Sequence, residues 1–195
     1  MNFRPLVLIA PLALLGGCMA PIGPVEVTRF HVPELAPQAR GSIAVEAAPG
    51  MDGASLELQA YQGAVAQELR RIGFAVQDKG GDQIAEVRLS RQTYRPDRAR
   101  NPVSVGIGGS TGSYGSGLGV GIGLDLSGPP PEVVETQLSV AIRDRKSGKV
   151  VWEGRAQFTV RATAPQAQTA LGAPKMAAAL FQGFPGNSGE TILVR

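Results

Sequence analysis

Few residues in this chain have the type and spacing for chemistry. There is one cysteine, Cys18, and one histidine, His31. Gly108-Gly109-Ser110-Thr111-Gly112 matches the Gly-x-Ser-x-Gly elbow that exposes a nucleophilic serine between a strand and a helix. No helical pattern follows Ser110. The triad on that fold places its histidine after the serine, whereas His31 comes well before it. In a stretch this rich in Gly and Ser, a chance match is the better reading, and Ser110 is not expected to be a nucleophile. The same stretch has no Gly-x-Gly-x-x-Gly and no closing Gly-Lys-Ser/Thr, so it offers no phosphate loop. His31 and Glu34 would supply two ligands to a metal, but a site normally needs three or four. The carboxylates Asp78, Asp82, Glu132 and Glu135 cannot be paired as acid and base from sequence. No enzyme, metal or cofactor is expected.

Two further groups invite a function and have a plainer reading beside it. Arg88, Arg91, Arg95, Arg98 and Arg100 are the densest basic stretch. Arginine binds phosphate bidentately, so a patch for lipid head groups is one reading. A solvated strand edge, where charge blocks edge-to-edge aggregation, is favoured over it. Trp152 is the lone tryptophan and falls on the apolar phase of a strand, which predicts core packing.

Cys18 has a sharper context. Met1-Asn2-Phe3-Arg4 carries one positive charge, and Leu6 to Leu15 is apolar apart from Pro11. Gly16 and Gly17 then lead to Cys18, the layout of a secretory signal. The apolar run is about half of the ~20 residues needed to span a bilayer as a helix. Leu15-Gly16-Gly17-Cys18 resembles the lipobox of bacterial lipoproteins. The resemblance implies a diacylglyceryl group on the Cys18 thiol and cleavage that makes Cys18 the mature N-terminus. Two or three acyl chains, at ~0.8 kcal/mol per buried CH₂, form a lasting anchor. It also implies sorting to the outer membrane, because Met19 rather than Asp follows the cysteine. Residues 1–17 are thus expected to be a signal peptide, 18–24 a lipidated tether, and 25–195 a single domain. With 19 Lys and Arg against 16 Asp and Glu, the chain is mildly basic, and no nucleic-acid partner is expected.

The elements follow from periodicity. Val25 to Phe30 and Ser42 to Glu46 read as strands. Leu58, Tyr61, Val65, Leu69 and Ile72 recur at helical spacing, which predicts a helix from about Ser55 to Ile72, closed by Gly73. Ala75-Val76 begins another strand, and Ala85, Val87 and Leu89 alternate with charge. Val103, Val105 and Ile107, then Leu118 to Leu126, alternate with Gly and Ser, which predicts a Gly-rich hairpin or loop, expected to be mobile. Val134 to Ile142 and Val150 to Val160 predict a long antiparallel hairpin. A helix is expected from Pro174, in its first turn, to Phe181, and Thr191 to Val194 could be a last strand. The order predicts an α+β fold: a mostly antiparallel sheet with two helical regions packed on one face.

In this order several pieces resemble the lipoprotein family called domain of unknown function 4136. They are Glu68 to Phe74, Ile84 to Val87, the glycine-rich stretch, Leu138 to Asp144, Val151 to Ala156 and Phe184-Pro185-Gly186. The resemblance implies an envelope lipoprotein and transfers no catalytic residue. The expected function is a lipid-anchored, non-enzymatic cell-envelope protein facing the periplasm. It would hold the membrane through Cys18 and bind another envelope protein or lipid, or support envelope integrity. The alternative is a periplasmic carrier or sensor of a small apolar or lipid ligand.

Overall fold

A computed structural model describes residues 23–33, 40–96, 103–112, 115–124 and 130–195. Cys18, Glu34, Arg98 and Arg100 lie outside the described residues. The strands are β1 (Val25–His31), β2 (Ser42–Ala47), β3 (Ala75–Gln77), β4 (Gln83–Tyr94), β5 (Val103–Gly112), β6 (Gly115–Leu124), β7 (Val133–Asp144), β8 (Val150–Arg161) and β9 (Thr191–Val194). The helices are α1 (Leu56–Arg71) and α2 (Thr169–Phe181). Seven strands form one sheet in the order β3-β2-β4-β7-β8-β1-β9, while among the described residues β5 and β6 pair only with each other. β2 runs parallel to β3 and β4, and every other neighbouring pair is antiparallel. This is the expected α+β arrangement.

The parallel β2–β3 pair exists because α1 returns the chain between them. Ser55 caps α1, its Oγ accepting from the Leu58 N–H at 3.4 Å. Leu58, Tyr61, Ala64, Val65 and Leu69 are its buried stripe. Each fully buried Leu or Val contributes roughly 2 kcal/mol. Gly73 at φ +101° ends the helix. Its N–H bonds the Arg70 carbonyl, and Phe74 N–H bonds Leu69, both at 3.0 Å. This is a Schellman closure, and both Leu69 and Phe74 enter the core.

β7 alternates strictly, burying Val134, Thr136, Leu138, Val140 and Ile142 under the helices. β8 answers with Trp152, Ala156, Phe158 and Val160. The other face is polar, with Arg143 paired to Glu86 at 3.2 Å and Arg145 to Glu46 at 2.7 Å. One apolar cluster joins the inner face of the sheet to both helices.

The second helix departs from the sequence reading. α2 starts at Thr169, and Pro174 lies inside it rather than in its first turn. A 3₁₀ turn at Pro165–Ala167 leads in, and Gly172 N–H bonds the Gln168 carbonyl at 2.8 Å, so the helix is established before the proline. Pro174 lacks the N–H that would reach Ala170, which removes one helical bond near the start. Packing of Gly172, Ala173, Met176, Ala177 and Leu180 against the core offsets that loss.

Candidate functional site

The described chain begins at Gly23 and Pro24 and continues directly into β1, which is flanked by β8 and β9. Val25 is fully buried opposite Val194. Six residues, 19–24, separate Cys18 from Val25. An extended chain gains at most ~3.5 Å per residue, so Cys18 stays within about 25 Å of this end of the sheet. The same end carries the last residues of β4 and β8 and the first of β7, with Val133 opposite both Tyr94 and Arg161. The chain leaves for β5 after β4 and returns from β6 to β7, so both legs of the glycine-rich ribbon depart here. Arg95, Arg161 and Arg195 are exposed at this end. A shallow cleft of about 620 Å³ beside β9 is lined by Pro24, Gln182 and residues 192–195.

The residues singled out for chemistry do not converge. Ser110 lies inside β5 opposite Gly117, and the strand runs on to Gly112, so no strand–turn–helix elbow forms around it. His31 sits at the end of β1. Its Nδ1 is 2.9 Å from the Val32 carbonyl and its Nε2 is 3.2 Å from that of Gly186, so the ring links β1 to the turn after α2. No group of three His, Cys, Asp or Glu side chains among the described residues is placed to hold a metal. Asp82 accepts from the Ser42 hydroxyl at 2.7 Å, and Glu135 from Gln92 at 2.9 Å. Asp78 and Glu132 are exposed elsewhere.

Among the described residues, the arginine stretch divides: Arg88 and Arg91 bond within the fold, and Arg95 is exposed. Arg88 donates to the Pro49 carbonyl at 2.9 Å, pinning the loop after β2. Arg91 falls on the inward phase of β4, contrary to the solvated-edge reading. Its guanidinium bonds Glu57 of α1 and the Ala167 carbonyl, and reaches the Thr169 hydroxyl at 3.1 Å. Thr169 donates to Glu57 at 3.0 Å. Three elements are thus knotted at the start of α2. Glu57 and Arg91 also line a cleft of about 320 Å³ with Met51, Asp52, Ser55, Leu58 and Leu89. Next to it, burial raises the pKa of Tyr61, and the nearby Arg91 charge opposes that shift.

Trp152 is fully buried, as its strand phase predicts. Its indole stacks on Phe181 with centroids 5.3 Å apart, and Nε1 donates to the Pro185 carbonyl at 3.0 Å. Phe184, after α2, packs on the same indole at 5.3 Å. The ring lies over Gly154, where a Cβ would fall 2.3 Å from it.

Arg29 is the residue that sequence reasoning missed. It is buried on the phase of Val25 and Val27. Its Nε and Nη2 donate to the Leu180 and Ala179 carbonyls, each at 3.0 Å, closing the C-terminal end of α2. Burial lowers its pKa from the usual guanidinium value, and Glu190 partly restores it. A Cβ on Gly186 would come within 2.8 Å of the same guanidinium. The available signal was its phase: Arg29 takes an inward position and Phe30 an outward one.

Comparison with known proteins places these features. A protein of Zymomonas mobilis subsp. mobilis described as uncharacterized is 28% identical over 217 aligned positions, covering 88% of this chain and 80% of its own. A PDZ domain protein from Parabacteroides distasonis has a similar fold, with a TM-score of 0.52 at 13% identity over 88% of this chain. This chain spans 39% of that protein. A PelC dodecamer from Paraburkholderia phytofirmans is more distant, with a TM-score of 0.43 at 14% identity, over 80% of this chain and 94% of that one. A family model matches residues 43–186, from β2 to the turn after α2. Most of the chain lies within that match, and it belongs to the family described as Domain of unknown function (DUF4136).

Proposed function

We propose that this is a lipid-anchored, non-enzymatic protein of the cell envelope, held at the outer membrane through Cys18 with its domain facing the periplasm. The observation that carries the reading is the sequence Leu15-Gly16-Gly17-Cys18, set six residues ahead of a strand that enters the domain core. Such a short tether keeps one end of the sheet near the bilayer and leaves the polar face and the α1–α2 layer free for an envelope partner. The charged side chains with specific geometry support this reading: Arg29, Arg88 and Arg91 bond backbone carbonyls within the fold.

Intact-mass measurement of the membrane-extracted protein tests the anchor. The expected mass is that of residues 18–195 plus acyl chains, and a mass without acyl groups overturns the proposal. Cys18→Ser should release the protein from the membrane fraction. Sucrose-gradient fractionation tests the placement, and sedimentation with inner-membrane markers rejects it. Mass spectrometry of material co-purified from detergent-solubilised envelopes would then identify the partner.

A further inference from the structure

We propose that β5 and β6 form a membrane-inserted hairpin, and that several copies of the chain pool their hairpins into one closed transmembrane β-barrel. The inference rests on the envelope location proposed above and assigns the glycine-rich ribbon a role.

The ribbon has the required length. β5 and β6 are 10 residues each, within the ~9–11 residues that a tilted transmembrane strand needs. It also has the required composition, since residues 103–124 contain no Asp, Glu, Lys, Arg or His. Charge resumes just outside, at Arg100 and Asp125.

Register then sorts the residues into two sets. Val103 is opposite Leu124, Val105 opposite Ile122, and Ile107 opposite Val120. Between them, Ser104 is opposite Gly123, Gly106 opposite Gly121, and Gly108 opposite Gly119. Residues two apart share a face of a strand. One face of the ribbon therefore carries three aliphatic pairs at its base, continued toward the tip by Gly109 opposite Leu118 and Thr111 opposite Ser116, and the other face is Gly and Ser. Transmembrane barrels alternate in this way, apolar toward lipid and small or polar toward the lumen. A two-stranded ribbon of this composition is at best marginally stable in water.

Backbone accounting requires more than one copy. β5 and β6 hydrogen-bond only to each other, so each has an open edge. Open edges are not viable in hydrocarbon, where each unsatisfied amide costs several kcal/mol. Among the described residues the remaining strands belong to the other sheet, so the closing strands come from other copies. At two strands per copy, the smallest eight-stranded barrel takes about four copies. Position agrees: the ribbon leaves the sheet at the end that the tether holds within about 25 Å of Cys18.

Single introduced cysteines test the proposal in the full mature protein, reconstituted in vesicles of phosphatidylethanolamine and phosphatidylglycerol. Ile107→Cys and Val120→Cys probe the aliphatic row, and Gly106→Cys and Gly121→Cys the small row, each carrying an environment-sensitive fluorophore. Quenching by lipid-chain spin labels should be strong at 107 and 120, and quenching by aqueous iodide strong at 106 and 121. Cross-linking should give a ladder of at least about four copies, and Ile107→Asp should abolish lipid quenching without changing the thermal melt of the domain. Iodide access at all four positions, or monomers alone after cross-linking, would overturn the proposal. Repeating the labelling in Cys18→Ser protein separates the two readings: insertion without the anchor upholds the hairpin whatever the intact mass shows.

Discussion

Arg29 holds a position where strand alternation puts an aliphatic side chain, and it stays because α2 ends against it. Its two donors satisfy carbonyls that a helix terminus leaves open. Arg29→Met keeps the volume and removes both donors, taking the side-chain bond from the Leu180 carbonyl and leaving that of Ala179 with only the Gln182 N–H at 3.3 Å. The expected loss is about 3 kcal/mol in chemical denaturation, and Arg29→Lys should recover part of it. Gly154→Ala is the complementary test, since its Cβ would fall 2.3 Å from the Trp152 ring and 2.8 Å from Leu180. Overpacking typically costs about 1–3 kcal/mol, and tryptophan emission should shift to the red as the indole is displaced. The core role of Trp152 was legible because it depends on local alternation. That of Arg29 was not, because its acceptors lie 151 and 150 residues away. A one-residue phase shows that a side chain is buried, not what it meets.

Among the elements, those closed by local chemistry were the most readable. Ser55, the apolar stripe and Gly73 bound α1, and the structure agrees to within a residue at either end. The β7–β8 turn is another local device. Asp144 Oδ1 accepts from the Ser147 N–H and hydroxyl, each at 2.6 Å, and these bonds hold its pKa below the usual carboxylate value. A depressed pKa contributes stability above the unfolded-state pKa that is lost as pH falls through the folded one. Asp144→Ala should therefore be less stable than wild type at neutral pH and equal to it in strong acid. Urea melts at the two conditions check this, and an equal deficit at both would contradict it. The start of α2 was misread because it is set by a non-local contact. Glu57, Arg91 and Thr169 meet from α1, β4 and α2, and together they hold the helix open for a full turn before Pro174. A double-mutant cycle on Glu57→Gln and Arg91→Met should give a coupling of about 1 kcal/mol, and additivity would show that the knot is incidental.

Over the whole molecule, the pieces that carried the family resemblance, the glycine-rich stretch excepted, are structural. Glu68 to Phe74 forms the closure of α1, Val151 to Ala156 seats Trp152 over Gly154, and Phe184-Pro185-Gly186 covers that indole and borders Arg29. These pieces were legible as a set because each is a local device of the packing: a helix closure, a ring seated on a glycine, and a turn that covers it. The glycine-rich ribbon stands apart from that packing, in a sheet of its own. Removing residues 103–124 and joining the legs should leave the domain's melting temperature nearly unchanged, because loop closure depends only weakly on length. A drop of more than about 5 °C would show that the ribbon supports the core.

The place of β1 between β8 and β9 bears on mechanical load. Force entering through Pro24 runs along the strand axis, across two ladders at once. It must shear rows of hydrogen bonds together instead of opening them one at a time. The chain ahead of β1, which the proposed anchor would load, is therefore joined to the part of the sheet best suited to resist extraction. In single-molecule pulling from the N-terminal side, the domain should yield at higher force than when peeled from β3 at the opposite edge.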